Sequence, residues 1–314
     1  MMRLVVAAFA ALLTTAAHAE WPEKPITMIV PYNPAGTTDL LAREAAKAIS
    51  EAVGQPVVVE NKPGAGGLLG TSLAAQAKND GYTILYGNNA TQVVQPLTNS
   101  AAKYDPLKDF TSIASTADTS TFFGVLKTTN ITTLEEFIDY AKAHPGLKYG
   151  TAGVGSIGQF TVEMFRLAAG LDMRHIPYES SVAALAAMMS GETFLLMDPV
   201  VYGQGDQTKI NILAVLGERR YPGLPDVPTA KERGIDAAIT GWFGVVAPAG
   251  IPEDARKKMS DALKAMSEQP EYQERVKKMG LVPFFRDYAE LDKQLEVDVK
   301  AFTELRDKAG IPRR

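Results

Sequence analysis

Near its start the chain reads Met28-Ile-Val-Pro-Tyr-Asn-Pro-Ala-Gly-Thr-Thr-Asp39. An apolar run is followed by a bend rich in Pro, Asn and Gly, and then by two threonines at the opening of a helical pattern. This order predicts a strand whose carboxyl end leads into an exposed helix N-terminus. Backbone N–H groups without helical partners add there to the helix dipole. The stretch therefore predicts a site for a small anion.

The segments that follow predict a first α/β unit. Its expected elements are the strand Ile26–Pro31, the helix Asp39–Val53 ending at Gly54, the buried strand Val57–Glu60, a helix to about Lys78 and the strand Tyr82–Tyr86. Right-handed crossovers make three such strands parallel. The loops at residues 33–38, 61–67 and 87–91 then lie at one sheet edge, where open α/β sheets bind ligands.

A second α/β unit is predicted after a polar, Ser/Thr-rich stretch at residues 100–121. Its expected elements are the strand Phe122–Leu126, a helix opened by the capping box Thr133–Glu136, the strand Leu147–Gly150, the helix Ile157–Ala169, the strand Arg174–Ile176, the helix Val182–Met189 and the strands Thr193–Met197 and Ile210–Val215. The chain then continues with the strand Trp242–Ala247 and the helices Glu253–Ser267, Pro270–Met279 and Tyr288–Lys308.

The first 19 residues have the layout of a cleavable secretory signal: Arg3, the apolar run Leu4–Leu13, and the small-residue end Ala17-His-Ala19. The apolar run is too short to span a bilayer, which takes about 20 residues. We therefore expect cleavage after about Ala19 and a periplasmic protein. About 295 residues remain, a length typical of two domains.

Charge and cysteine content exclude several classes of partner. Without Arg3 the chain carries 31 basic and 36 acidic side chains, a formal charge of −5, which argues against nucleic acid or an anionic membrane. Cysteine is absent, so disulfides are excluded. His144 and His175 have no spaced partner for a metal. We expect no metal, no cofactor and a monomer.

The run Gly153-Val-Gly-Ser-Ile-Gly158 matches G-x-G-x-x-G between a strand and a helix, the setting of a dinucleotide fingerprint. An exported protein is not supplied with reduced nicotinamide cofactors, so this reading is disfavoured. The same glycines let backbone N–H groups approach a carboxylate, to which Thr151 and Ser156 add hydroxyls. A plain tight turn is the alternative.

Catalytic motifs are weak. The stretch Gly64–Ser72 resembles a phosphate-binding loop but lacks its lysine, and Ser156 lacks the Gly-x-Ser-x-Gly frame of a nucleophile elbow. Asp198 follows an apolar strand, where it would accept a hydrogen bond from a ligand amine or protonated acid. Its alternative role is a cap or a domain hinge.

Several stretches together resemble the Bug family, the periplasmic substrate-binding proteins of tripartite tricarboxylate transporters. They are Trp21–Ile26, Val30–Asp39 with Ala42-Arg43, Val59–Gly67, Asp80–Thr83, Gly153–Ser156, Pro228-Thr229 with Glu232 and Gly234, and Ala247–Gly250. The resemblance covers essentially the whole chain.

The resemblance implies a two-domain α/β Venus flytrap, each domain a mostly parallel sheet flanked by helices, that closes over a small carboxylate. It implies domains at residues 20–120 plus 243–314 and 121–242. It also implies a ligand site that is divided between the domains. The residues expected there are Pro34, Ala35, Gly36, Thr37, Asn88 and Thr91 in the first domain and Thr151, Gly155, Ser156, Gln159, Ser181 and Asp198 in the second.

The chain departs from the family pattern at Gly36-Thr37, where two glycines are usual, and at Gln159, where histidine is common. Thr37 is then a ligand contact and Thr38 the helix cap. Together with Asn88 and Thr91, these residues predict a polar, uncharged pocket lining. Di- or tricarboxylates, acidic amino acids and aromatic acids all fit.

The expected partners are the membrane subunits of a tripartite tricarboxylate transporter. Two other readings remain open. The chain would serve a membrane sensor kinase, which differs only at the outer surface, or it would be an exported hydrolase or isomerase using Asp198 or Ser156.

Overall fold

The structure is a computed structural model that describes residues 21–313, so the predicted signal peptide lies outside it. The strands are β1 (Ile26–Val30), β2 (Val57–Asn61), β3 (Thr83–Asn88), β4 (Phe110–Asp118), β5 (Phe122–Leu126), β6 (Leu147–Thr151), β7 (Met173–Pro177), β8 (Leu195–Asp198), β9 (Ile210–Val215), β10 (Trp242–Pro248) and β11 (Val282–Arg286). The α-helices are α1 (Thr37–Val53), α2 (Leu68–Ala75), α3 (Gln95–Thr98), α4 (Leu134–Ala143), α5 (Ile157–Ala169), α6 (Ser181–Met189), α7 (Val200–Gly203), α8 (Glu253–Ser267), α9 (Pro270–Lys278) and α10 (Tyr288–Ala309).

Local sequence signals account for many of these helices. Leu41, Ala45 and Ile49 lie on one buried face of α1, which ends at Gly54 in the left-handed conformation. The predicted capping box of α4 forms, since Thr133 and Glu136 accept from each other's backbone N–H. Helix α5 has the predicted bounds.

The first sheet has six strands in the order β11-β4-β10-β3-β1-β2. Strand β1 pairs in parallel with β2 and β3, as expected for successive crossover units. Strand β10 is antiparallel to both β3 and β4, and β11 is antiparallel to β4 at the edge. All seven residues of β10 are buried, so a strand from late in the chain forms the centre of this sheet.

The second sheet has five strands in the order β7-β6-β8-β5-β9. Strand β6 is parallel to β7 and β8, whereas β5 is antiparallel to β8 and β9. The predicted α/β two-domain fold is confirmed, but the sheets are mixed rather than mostly parallel. The antiparallel pairs come from the strands at the crossings between the sheets, which local patterns do not orient.

Three expectations about the strands are corrected. Strand β4 was expected only as part of a polar, Ser/Thr-rich stretch, yet eight of its nine residues are buried. The Thr116 hydroxyl forms a hydrogen bond with the Tyr86 hydroxyl at 3.1 Å. Strand β11 was not among the expected elements; it contains Pro283, which is tolerated because β11 is an edge strand. Strand β2 was expected to be buried, but it is an edge strand with Val58 49% exposed.

Helix α10 packs against elements of both sheets. Phe302 of α10 contacts Phe160 of α5, with ring centroids 5.1 Å apart, and both belong to an apolar cluster with Val93 and Trp242. On the sheet membership of the strands, we propose domain bounds at residues 20–120 plus 243–314 and 121–242. Within residues 21–313, no helix has the length and apolar character needed to cross a membrane.

Candidate functional site

The bend between β1 and α1 exposes backbone at a helix start. Ala35 takes a left-handed φ of 65°, and Gly36 at the N-cap is extended with φ −78° and ψ 166°. Helix α1 begins at Thr37, and no side chain caps it. The prediction that Thr38 is the cap is therefore wrong. Pro34, Ala35, Gly36 and Thr37 are all exposed, so the first N–H groups of α1 face open space.

The carboxylate of Asp39 holds this bend from inside. It accepts from the Ala35 backbone N–H at 2.9 Å, from Arg43 Nε at 2.9 Å and Nη2 at 3.0 Å, and from Asn61 Nδ2 at 2.8 Å. Burial raises the pKa of Asp39, but these donors outweigh it, and the pKa lies below its usual value. Asn61 also donates to the Tyr32 carbonyl at 3.1 Å, which joins the loop after β2 to the bend.

The loop after β3 lies at the same edge. Tyr32 donates from its hydroxyl to Asn88 Oδ1 at 3.2 Å. Asn88 and Thr91 are joined by two hydrogen bonds. The backbone N–H of Asn88 donates to Thr91 Oγ1, and the Thr91 hydroxyl donates to the Asn88 carbonyl. Thr91 is fully buried. Its hydroxyl therefore shapes the loop, whereas Asn88 remains part-exposed.

In the second domain, Thr151 at the end of β6 shapes the Gly-rich bend. Its hydroxyl donates to the Gly153 carbonyl at 3.1 Å, accepts from Gly153 N at 3.2 Å, and lies 2.6 Å from His175 Nε2. With Nε2 protonated, these bonds use the hydroxyl proton and both lone pairs. Thr151 is 1% exposed, and burial lowers the pKa of His175. The Thr151 hydroxyl then has no hydrogen-bonding capacity left for a ligand.

The rest of the bend leads into α5. Ser156 caps the helix by accepting from Gln159 N at 3.3 Å, and Gln159 Oε1 accepts from Gly155 N at 2.7 Å. A β-carbon placed on Gly155 would lie 3.0 Å from Thr98 of α3, so this bend approaches the first domain directly after its ligand loop. Gly155 of the second domain thus lies close to Thr98, which follows Thr91 in the chain of the first.

Ser181 and Asp198 meet beside this bend. Ser181 donates to Asp198 Oδ2 at 2.7 Å, and Val200 N donates to Oδ1 at 2.9 Å. Asp198 thus accepts from the first backbone N–H of the short helix α7, whose N-cap residue is Pro199. Burial raises the pKa of Asp198, and the two donors only partly offset it. Each oxygen retains acceptor capacity, and Oδ2 lies 3.8 Å from where a β-carbon of Gly158 would be.

Sequence reasoning missed the groups that hold these loops. Asp39 was expected only as the first residue of a helix, and His175 only as a histidine without a spaced metal partner. Arg43 and Asn61 appear in the family-like motifs, which was the available signal. Within residues 21–313 no three His, Cys, Asp or Glu side chains group in a way that could hold a metal ion.

The chain matches known proteins over most of its length. The model of the tripartite tricarboxylate transporter family receptor matches residues 41–310. A Cupriavidus necator protein, described as a UPF0065 protein in the gbd 5′ region, is 34% identical over 304 residues, covering 94% of this chain and 91% of the relative. Protein BugT of Bordetella pertussis is 32% identical over 235 residues, covering 73% and 72% of the two chains.

Three solved structures illustrate the similarity in fold. A Rhodopseudomonas palustris protein with adipate has 29% identity and a TM-score of 0.77, covering 93% of this chain and 99% of that one. The periplasmic binding protein BugD has 29% identity and a TM-score of 0.73, with coverages of 94% and 100%. MatC of Rhodopseudomonas palustris with bound malate has 26% identity and a TM-score of 0.71, covering 91% of this chain and 99% of that one.

Proposed function

Because this chain belongs to the tripartite tricarboxylate transporter receptor family, also represented by proteins of the Bug group, we propose that it captures a small organic carboxylate between its two domains. It acts in the periplasm and delivers the acid to the membrane subunits of a tripartite tricarboxylate transporter. It binds its ligand as a monomer without cofactor, metal or catalysis.

One observation carries the first half of this site. Helix α1 starts at an exposed bend with no side-chain cap, so its first N–H groups point at open space with the positive end of the helix dipole. A ligand carboxylate at Gly36 and Thr37 accepts those N–H bonds. Asp39 faces the other side of the bend, where its charge is neutralised by Arg43. The proposed anion site is therefore formed by backbone rather than by a cationic side chain.

The second half is formed by the bend at residues 153–156. Gly155 and Ser156 are part-exposed there, and the amide of Gln159 lies behind them. A ligand held by both halves binds the closed arrangement of the domains better than the open one, which favours closure. Closure removes water from the charge-assisted hydrogen bonds and strengthens them.

The position of Asp198 favours some classes of carboxylate ligand over others. In its ionised form the buried Asp198 carboxylate beside the second half repels a second ligand carboxylate and accepts hydrogen bonds from an ammonium or hydroxyl group. We therefore expect hydroxy acids and acidic amino acids to bind more tightly than unsubstituted dicarboxylates. Malate, the ligand of the MatC structure, carries such a hydroxyl group.

Titration calorimetry tests the proposal. The panel comprises malate, adipate, citrate, aspartate, glutamate and benzoate, with glucose as a neutral control. We expect at least one acid to bind with one-to-one stoichiometry, and its binding to reduce the radius of gyration measured by small-angle X-ray scattering. A folded protein that binds no acid of the panel contradicts the proposal. Conversion of a bound acid into a product would show an enzyme instead.

A further inference from the structure

A cavity of about 520 Å³ lies between the two domains beside α10. Its lining includes Arg219 in the loop after β9, Ile239 at the crossing between the sheets, Phe284 of β11, and Lys293 and Phe302 of α10. None of the residues proposed above for the transported acid lines it. The volume is within the usual range for a small-molecule site.

Two cations at this cavity retain unused hydrogen-bond donors. Within residues 21–313, Lys293 has neither a hydrogen bond nor an ion pair, and the Arg219 guanidinium donates no hydrogen bond. Arg219 lies 3.5 Å from Asp118, but Arg286 already holds that carboxylate with bonds of 2.6 and 2.9 Å. Each domain therefore contributes one cation with hydrogen-bond donors to spare, Arg219 at the edge of an ion pair with Asp118 and Lys293 without a partner in the described part of the chain.

The acidic groups at the cavity are already bonded. Glu218 pairs with Lys231 at 2.7 Å, and Glu290 accepts from the Asp287 N–H at 3.1 Å in the cap of α10. Asp298 accepts from three neutral donors at distances of 2.8 to 3.2 Å. The carboxylates at the cavity thus already accept from other donors, whereas Arg219 and Lys293 have donors to spare, which favours a ligand that brings acceptor oxygens.

The lining of the cavity also offers apolar and aromatic surface to the apolar part of a ligand. Phe284 lies under both the Arg219 and Arg286 guanidinium groups, at 3.9 and 4.4 Å from its ring centroid. Ile239 and Phe302 add apolar surface to the same lining. An aromatic ring that continues this stack would bury apolar area while its acid group reaches the cations.

We propose that this cavity is a second ligand site, which binds an aromatic organic acid with its carboxylate between Arg219 and Lys293. Its occupant contacts both domains, because Arg219 belongs to the second sheet's loops and Lys293 to α10. The site is independent of the identity of the transported acid.

Fluorescence titration with 8-anilinonaphthalene-1-sulfonate tests the site, the sulfonate standing in for a carboxylate. We expect one saturable site on the full chain. Arg219→Gln and Lys293→Gln should each weaken binding about tenfold, as expected for loss of one charge-assisted contact. Ala301→Trp, which fills the cavity without changing charge, should abolish binding. Lys300→Gln, on the same helix but outside the lining, is the matched control.

Competition tests the charge requirement. Naphthalene-2-carboxylate should displace the dye, whereas uncharged naphthalene-2-methanol should not. The proposal is overturned by the absence of saturable dye binding, by equal displacement with both compounds, or by binding that the three cavity variants leave intact. Dye binding that is lost in Gly36→Leu but kept in Ala301→Trp would assign the dye to the other site and also overturn it.

Discussion

The carboxylate of Asp39 accepts a hydrogen bond at 2.9 Å from the backbone N–H of Ala35, four residues earlier. This bond turns the bend back on the first turn of α1, and Ala35 takes a left-handed φ that an alanine rarely adopts. The shape of the proposed carboxylate site therefore depends on a side chain that faces away from the ligand.

Asp39→Ala should weaken acid binding at least tenfold and lower the free energy of unfolding by about 1–3 kcal/mol. The bend loses its internal acceptor, and the Asn61 amide loses a partner. Calorimetry and urea denaturation measure the two effects. Glu51→Ala, which removes an exposed carboxylate of the same helix, is the control. Unchanged affinity in Asp39→Ala would show that the bend does not hold the acid.

Gly36→Leu should abolish binding of the acid with little loss of stability. Gly36 is extended, and a β-carbon there meets only the Asn33 carbonyl at 3.6 Å, so the change is unstrained while its side chain covers the N–H groups. We expect a change in unfolding free energy within about 0.5 kcal/mol. Gly203→Leu, in similarly open space, controls for added apolar surface. Retained affinity would exclude this bend.

Thr151→Val should destabilise the protein by about 1–3 kcal/mol, because the Gly153 N–H and His175 lose their shared partner. Affinity should fall as the bend loses its fixed shape. Thr151→Ser keeps the hydroxyl and should behave nearly as wild type in both calorimetry and denaturation. If the Thr151→Val and Thr151→Ser variants bind the acid with equal affinity, the hydroxyl has no role in positioning the bend.

Asp198→Asn should change selectivity rather than abolish binding. Loss of the charge removes repulsion from a second carboxylate and weakens attraction to an ammonium group. The affinity ratio of adipate to glutamate should rise about tenfold, corresponding to one altered charge contact. Asp226→Asn, at an exposed position of the same domain, should leave the ratio unchanged. An unchanged ratio in Asp198→Asn would place that carboxylate outside the ligand's reach.

Burial of Asp298 predicts a pH-dependent stability. Burial raises the pKa of Asp298 to about 6, although the bonds from Gln294, Trp242 and Asn89 oppose the shift. Between about pH 4 and pH 6 the folded state binds a proton that the unfolded state has lost. This contribution is complete below pH 4 and is lost as pH rises through 6, a decrease of roughly 2–3 kcal/mol.

Urea denaturation of wild type and Asp298→Asn from pH 4 to 7 measures this effect. The stability of the wild type should fall relative to that of the variant across the window, since asparagine does not titrate. The comparison with the variant removes the contributions of other carboxyl groups. If the two plots of unfolding free energy against pH are parallel, the pKa of Asp298 in the folded protein is close to its value in the unfolded chain.

Local signals were sufficient for the elements that begin or end at recognisable residues. Helix α5 could be predicted to the residue because Ser156 caps it and Gly170 ends it. The bend at residues 33–38 could be located because its Pro, Asn and Gly residues separate an apolar run from a helical pattern. Its internal support could not be predicted in full, because Asn61 reaches Asp39 across 22 residues and nothing local marks the pair.

Long-range contacts explain the remaining differences. Strand β4 carries Ser and Thr on buried faces, and its hydroxyls find partners only on elements that are distant in sequence, such as Tyr86. Asn89 donates to Asp298 across 209 residues. The antiparallel orientation of β10 is likewise set by its pairing with β3 and β4 rather than by its own sequence. These features depend on the assembled fold rather than on patterns within one segment.

The position of β10 also constrains how the protein is made. This strand is the partner that lies between β3 and β4, yet the ribosome synthesises it only after every strand of the second sheet. Until then, β3 and β4 each lack a neighbour, and their open edges are liable to pair wrongly with other chains. The second domain can complete its sheet first. The amino-terminal domain, although translated earlier, is therefore the later one to mature.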